Sequence, residues 1–309
     1  MNTKHYDLII IGGGPAGLTA GLYAARARLN VLLIEKAAAG GQILVTDWIE
    51  NYPGFPEGIS GFDLAQKIAD QAGRFDLETL TADVQSIEVA GDVKTVHLTD
   101  ETLTCTALII ASGASPRKLG VPGENEFFGK GLSTCATCDA PFYKDRVVAA
   151  VGGGDTAVQE SIYLTKFAKK VYLIHRRDEL RATKILQERA FANKKIEFLW
   201  DTVPTRFGGL FNVETVSLEN VKTGETRDLK VDGSFVWVGI LPNTGFLNNS
   251  LAVDDGGFIT VNTRMETSVP GVFAVGDVRD TPLRQIASAV GDAAIAAFTA
   301  GHYIENLNK

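Results

Sequence analysis

Cysteine is scarce in this chain: three residues in 309, alongside only four histidines. Three thiols cannot staple a fold, so a hydrophobic core must hold it, and 45% hydrophobic residues suffice for that. The length suggests about two domains. Long apolar runs are missing as well. Leu8-Ile9-Ile10-Ile11, near the N-terminus, ends in three glycines and is far too short for a signal-peptide core or a membrane span, so a cytoplasmic protein with no membrane role is expected. Basic residues are not in excess: 30 Lys and Arg against 37 Asp and Glu leave a net charge of −7. Without clustered cations to neutralise phosphates, no nucleic-acid partner is expected. The histidines are scattered, with neither metal-ligand spacing nor a nucleophile beside them, so no metal is expected.

What is present is a grammar used twice. Tyr6–Ile11 is a continuous apolar run, as for a parallel strand buried on both faces. It runs into Gly12-Gly13-Gly14-Pro15-Ala16-Gly17, a helical stretch to about Arg28, and a second strand, Asn30–Glu35. Arg146–Val151 then runs into Gly152-Gly153-Gly154-Asp155-Thr156-Ala157, a helix to about Phe167, and the strand Lys170–His175. Two strand–helix–strand units imply two nucleotide sites and an α/β fold. Each is followed by mixed segments of alternating strands and turns, such as Thr102–Ile110 and Gly233–Ile240. A third glycine-terminated strand, Gly271 to Gly276-Asp277, precedes a helix of small residues from Arg284 to about Ala300. Glycine and proline mark linkers at Ser112–Pro116 and Gly239–Gly245.

The two glycine turns end differently. In the first, Gly12 permits the tight turn, Gly14 lets a pyrophosphate approach the backbone, and Gly17 lets helix and strand pack closely. Glu35, at the end of the next strand, is placed to accept hydrogen bonds from ribose hydroxyls. In the second, Gly152, Gly154 and Ala157 hold the same places, with Asp155 and Thr156 between. The strand ends in His175-Arg176-Arg177, with Arg181 beyond, where a 2′-phosphate would find charge-assisted partners. The first site therefore suits FAD and the second NADPH; a solvated basic strand end is the competing reading of the arginines. Asp277 is placed to receive a hydroxyl of the flavin's ribityl chain.

Cys135-Ala136-Thr137-Cys138 lies just before the second unit and reads as a reversible disulfide. Asp139 beside it is a candidate proton shuttle, and its adjacency puts Cys138 nearer the flavin. Zinc would need two further ligands that the sequence does not offer. Cys105, within an alternating strand, reads as a buried structural residue.

Over essentially its whole length the chain resembles the low-molecular-weight bacterial thioredoxin reductases. The resemblance rests on the two glycine motifs, Gly40-Gly41-Gln42, Glu50-Asn51-Tyr52-Pro53-Gly54, Cys135-Ala136-Thr137-Cys138-Asp139, His175-Arg176-Arg177-Asp178 with Arg181-Ala182, and Gly276-Asp277 with Arg284-Gln285. It implies two Rossmann-like dinucleotide-binding domains of three layers. An NADPH domain carrying the cysteines, residues 116–244, would be inserted into a discontinuous FAD domain, residues 1–115 and 245–309. It further implies a homodimer whose flavin is lined by Gly41, Gln42, Asn51, Ala111, Gly113, Gly276, Asp277, Arg284, Gln285 and Ile286, and thioredoxin as the disulfide partner. A related flavoenzyme reducing another dithiol acceptor is the nearest rival, and a non-catalytic redox sensor the rival of another class.

Overall fold

The computed structural model describes residues 4–46 and 48–307. The chain begins with β1 (His5–Ile11), α1 (Pro15–Arg26) and β2 (Val31–Glu35). Proline at the first position of α1 costs no hydrogen bond there, and Arg26 in its last turn suits the helix dipole. Next come α2 (Gly61–Gly73), capped by Ser60, whose hydroxyl accepts the Asp63 N–H, and then β3 (Glu78–Thr81). The strands β4 (Val84–Glu88), β5 (Lys94–Leu98), β6 (Thr102–Ile110) and β7 (Ala114–Pro116) complete this segment.

The chain then builds α3 (Glu124–Phe127), β8 (Leu132–Ser133), α4 (Ala136–Asp139) and β9 (Val147–Gly152). It continues through α5 (Asp155–Leu164), β10 (Lys170–Ile174), α6 (Lys184–Ala192) and β11 (Ile196–Leu199). β12 (Thr202–Gly208), β13 (Thr215–Asn220), β14 (Thr226–Lys230), β15 (Gly233–Trp237) and β16 (Ile240–Pro242) follow. Last come β17 (Val272–Ala274) and α7 (Ile286–Leu307).

Contacts divide the chain into two compact units, residues 1–115 with 241–309, and residues 116–240. In the first, the strand order is β3-β2-β1-β6-β5-β4, with β17 also on β6. β6 has three neighbours because it is long. β1 runs parallel along it, β5 pairs antiparallel with its first half, and β17 pairs parallel with Leu108–Ile110. Alternate residues of β1 enter opposite faces: Leu8 and Ile10 join Ala20, Leu33, Ile109 and Ala293, while Ile9 and Ile11 join Leu32, Ile34, Leu108 and Ile110. That two-sided burial is why the strand reads as an unbroken apolar run. Each such side chain contributes roughly 1.5–3 kcal/mol.

The second unit has a five-stranded parallel sheet, β11-β10-β9-β15-β8, and a separate antiparallel sheet, β12-β13-β14. The segment Gly233–Ile240, expected to mix strand and turn, holds β15 to Trp237 and turns at Gly239, whose φ is +115°. The last helix, expected to end near Ala300, runs on through Gly301 to Leu307, since Ile304 still packs into the core.

Candidate active site

Cys135 and Cys138 are joined by a disulfide, with Cα atoms 5.4 Å apart. Its frame is built from the end of β8. The Ser133 hydroxyl accepts the Cys135 N–H at 3.0 Å, and the Trp237 indole donates to the Thr134 carbonyl at 3.0 Å. Cys135 caps α4, its Sγ accepting the Cys138 N–H at 3.2 Å. Once the bond is reduced, that N–H favours a thiolate on Cys135. Ala136 and Ala140 are buried and pin α4, leaving Cys138 exposed and Cys135 half-buried. Asp139 is half-buried; after burial, its charge is the next cause holding the Tyr143 phenol above its ordinary range. Cys105, in β6, is fully buried, and burial pushes its thiol up to about 12.

In the first glycine turn, Gly12 takes φ +107°, and a side chain there would strike the Ala111 carbonyl. A side chain at Gly17 would run into the Gly12 carbonyl oxygen. Glu35 closes the turn, accepting the Gly13 N–H at 2.6 Å and the Ala37 N–H at 2.9 Å. A carboxylate has about four acceptor sites, so capacity for ribose hydroxyls is left. The N-terminus of α1 carries no side-chain cap and no acid, so its N–H groups are open to an anion.

The other residues predicted for this site lie in the same unit. A Cβ at Gly41 would come 3.1 Å from the Gly14 Cα. Gln42 Nε2 donates to the Ala114 carbonyl at 3.3 Å, next to Gly113, whose φ is +67°. Asn51 Nδ2 donates to Gln285 Oε1 at 2.9 Å, just before Ile286 opens α7. A Cβ at Gly276 would come 3.1 Å from that of Ala16, beside Pro15, which sets the Gly276–Asp277 turn against α1. Burial raises the Asp277 carboxyl above its ordinary range, Arg284 opposes the rise, and Asp292 adds to it. Arg284 packs over the Phe258 ring at 4.1 Å, with its Nε buried and unpartnered. An orphaned cationic nitrogen, an uncapped helix N-terminus and closely approached glycines, all in this unit, fit a flavin dinucleotide.

In the second turn Gly152 takes φ +149°, and a side chain there would strike the Trp237 carbonyl and Ala157. Gly154 caps α5 through its backbone and has open space beside it. Asp155 is tied off, accepting the Thr183 N–H at 2.6 Å, and Thr156 is exposed. The strand end separates what sequence adjacency grouped. His175 is buried against Gly153, its pKa lowered by burial and then by Arg181, Arg177 and Arg176, while the three arginines are exposed. The Arg181 N–H donates to the Gly153 carbonyl at 2.7 Å, which fixes Arg181 at the turn. His175 Nε2 has no partner, and α5 has no side-chain cap, so this turn, with the exposed arginines beyond it, fits a phosphorylated dinucleotide.

Sequence reasoning missed the braces. Arg279 grips Asp292 with two 2.7 Å bonds, and Asp292 also accepts the Gly276 N–H at 3.2 Å. The available signal was a carboxylate set in an alanine-rich apolar stretch, since a buried charge needs a partner. Ser133 and Trp237, which steady the cysteine loop, carried none. Among the described residues no group of three or more His, Cys, Asp or Glu side chains could hold a metal ion.

Two dinucleotide turns and a Cys-x-x-Cys disulfide define a nicotinamide-linked disulfide reductase. Residues 6–293 match the family described as pyridine nucleotide-disulphide oxidoreductase, and the chain belongs to it. It is 46% identical over 307 residues to the thioredoxin reductase of Bacillus subtilis (strain 168), covering 99% of this chain and 97% of that protein. The crystal structure of Lactococcus lactis thioredoxin reductase superposes with TM-score 0.95 at 43% identity, covering 97% of this chain and 99% of that one. Thioredoxin reductase from T. acidophilum gives TM-score 0.92 at 34% identity, covering 98% and 99%.

Proposed function

We propose that this chain is an NADPH-dependent thioredoxin-disulfide reductase, with FAD held in the first unit and NADPH in the second. The Cys135–Cys138 disulfide carries the reading, placed in the same unit as an arginine-ended dinucleotide turn. Bound FAD supplies the two-electron relay between a hydride donor and a disulfide. The chain's own residues bind, orient and exchange. Gly12, Gly14 and the N-terminus of α1 hold the flavin pyrophosphate, Glu35 its ribose, and Asp277 and Arg284 the ribityl side. Gly152, Gly154 and α5 hold the nicotinamide cofactor's pyrophosphate, and Arg176, Arg177 and Arg181 its 2′-phosphate.

In the reduced pair, one cysteine thiolate attacks the oxidised thioredoxin disulfide. A mixed disulfide forms and a thioredoxin thiolate leaves. The second cysteine then attacks the mixed bond, which restores Cys135–Cys138 and releases dithiol thioredoxin, two electrons richer. Asp139 moves the proton that the thiol–thiolate change requires.

The same reading makes the protein a cytoplasmic homodimer with no nucleic-acid or membrane partner. A net charge of −7 speaks against a polyanionic partner, and no described helix is long and apolar enough to cross a membrane. Exposed Ile295 and Phe298 on α7 offer apolar surface for a second subunit. The test is turnover of the flavin-loaded enzyme with NADPH and oxidised thioredoxin, reading NADPH loss against new thiols. Two thiols per NADPH are expected. A flavin that NADPH bleaches but that yields no thioredoxin thiols would overturn the assignment.

A further inference from the structure

Gln187, at the start of α6, turns its side chain against the usual direction. A helix N-terminus leaves backbone N–H groups unpaired, so a glutamine there ordinarily reaches back with its oxygen to accept one. Gln187 offers its nitrogen instead. Its Nε2 donates to the Ala182 carbonyl at 2.6 Å and to the Leu180 carbonyl at 3.3 Å. Carbonyls can only accept, so these two partners fix which end of the amide faces them. The bonds therefore brace the segment before the helix rather than the helix itself. Between the two carbonyls lies Arg181.

The rest of that segment is fastened to the second glycine turn, within the same unit. The Arg181 N–H donates to the Gly153 carbonyl at 2.7 Å, and the Thr183 N–H to Asp155 Oδ1 at 2.6 Å, at the first residue of α5. Leu180 and Ala182 are buried on either side, while the Arg181 side chain is exposed. Gln187 closes this frame from α6. Arg176 and Arg177 are set differently, in an exposed run over residues 176–179. A guanidinium on a main chain that is already fixed loses less freedom when it grips a phosphate, and its fork is directional, so the placing of its backbone decides what it can reach.

We propose that Gln187 is a positioning residue that holds Arg181 beside the second glycine turn and so sets the preference for a 2′-phosphorylated dinucleotide, an inference that rests on the reading of this unit as the NADPH site. The test is calorimetric titration of the flavin-loaded protein with 2′,5′-ADP and with 5′-AMP, which differ only in the 2′-phosphate. Gln187→Leu keeps the bulk and removes the donor. It should weaken 2′,5′-ADP binding about fivefold and leave 5′-AMP within about twofold. KM for NADPH should rise by the same factor with kcat unchanged, and KM for NADH should hold. Arg181→Ala should weaken 2′,5′-ADP by about tenfold or more. Adding Gln187→Leu to it should cost nothing further, because the brace matters only while Arg181 is there to be placed. Tm and the flavin spectrum, measured alongside, show that the fold and flavin are intact, and Gln187→Ala serves if the leucine variant folds poorly. Equal weakening of both nucleotides, or of neither, overturns the inference. So does a loss in the double variant that adds in full to that of Arg181→Ala. Wild-type protein that binds 2′,5′-ADP no more tightly than 5′-AMP would bring down the NADPH reading itself, whereas a selective wild type with an insensitive Gln187→Leu removes the inference alone.

Discussion

The two glycine turns use one backbone solution and opposite chemistry at the strand end. In both, the first glycine takes a positive φ and lies against a carbonyl just past the end of, or at the end of, the neighbouring parallel strand: Ala111 beside Gly12, Trp237 beside Gly152. In the first, the strand-end carboxylate bends back and bonds the turn itself. In the second, His175 fills the space beneath the turn, and the cations beyond it stay in water. On the proposed reading, turn geometry secures the pyrophosphate in either unit, and the residues at or just past the strand end choose the ribose. The helix packing differs too. Gly17 has no room for a methyl, whereas Ala157 has one and leaves Gly152 none.

The sharpest break in the comparison is the disulfide, which only the second unit carries. Cys135→Ser or Cys138→Ser should abolish thioredoxin reduction and leave the flavin bound and bleachable by NADPH, measured by thiol titration beside the flavin spectrum. Cys105→Ala should leave turnover near normal; an inactive Cys105 variant with a dispensable pair would misplace the active site. Next in size is the helix contact. Gly17→Ala forces a methyl onto a backbone oxygen, so purified protein should be colourless or insoluble. The reverse change, Ala157→Gly, should cost only the helix-propensity difference of about 1 kcal/mol, a fall of about 2–4 °C in Tm by calorimetry. Similar losses from both would mean that the two helices pack alike after all.

The strand ends come third. Arg176→Ala with Arg177→Ala removes charge-assisted bonds worth roughly 1.5–3 kcal/mol each, so KM for NADPH should rise by about tenfold or more. KM for NADH should barely move, and equal losses with both cofactors would remove the 2′-phosphate role. The smallest effect concerns Asp277. Its folded pKa is raised, so its ionised form opposes folding, and the penalty sets in as pH rises through that raised value. In flavin-free protein, Asp277→Asn should raise Tm slightly at neutral pH. The gain should fade as pH falls below about 4, where the free carboxyl is already protonated. With flavin bound the sign should reverse, because a ribityl hydroxyl loses its carboxylate acceptor. A thermal-shift series in pH, with and without FAD, reads both signs.

Much of this was legible because burial on both faces writes itself as continuous apolar runs: β1 and β9 each stood out, and glycine marked where each strand must turn. The β12-β13-β14 sheet did not, since its strands alternate weakly and pair only with one another. His175 was grouped with its arginines by adjacency, yet neighbouring residues leaving a strand face opposite ways, and the ring went inward. The Arg279–Asp292 clamp joins partners 13 residues apart, one of them on a long helix, at a distance set by how α7 packs rather than by any local pattern.

The triple pairing of β6 has a consequence in time. Its final neighbour, β17, lies more than 160 residues downstream, beyond the whole of the second unit. A ribosome delivers about 5–20 residues per second, so the first unit waits many seconds with one flank of its central strand unpaired and the site of α7 uncovered. The second unit is contiguous and can complete its sheet as soon as residue 240 emerges. The part of the protein made first is therefore finished last, and its exposed apolar strands are the segment most in need of a chaperone during synthesis.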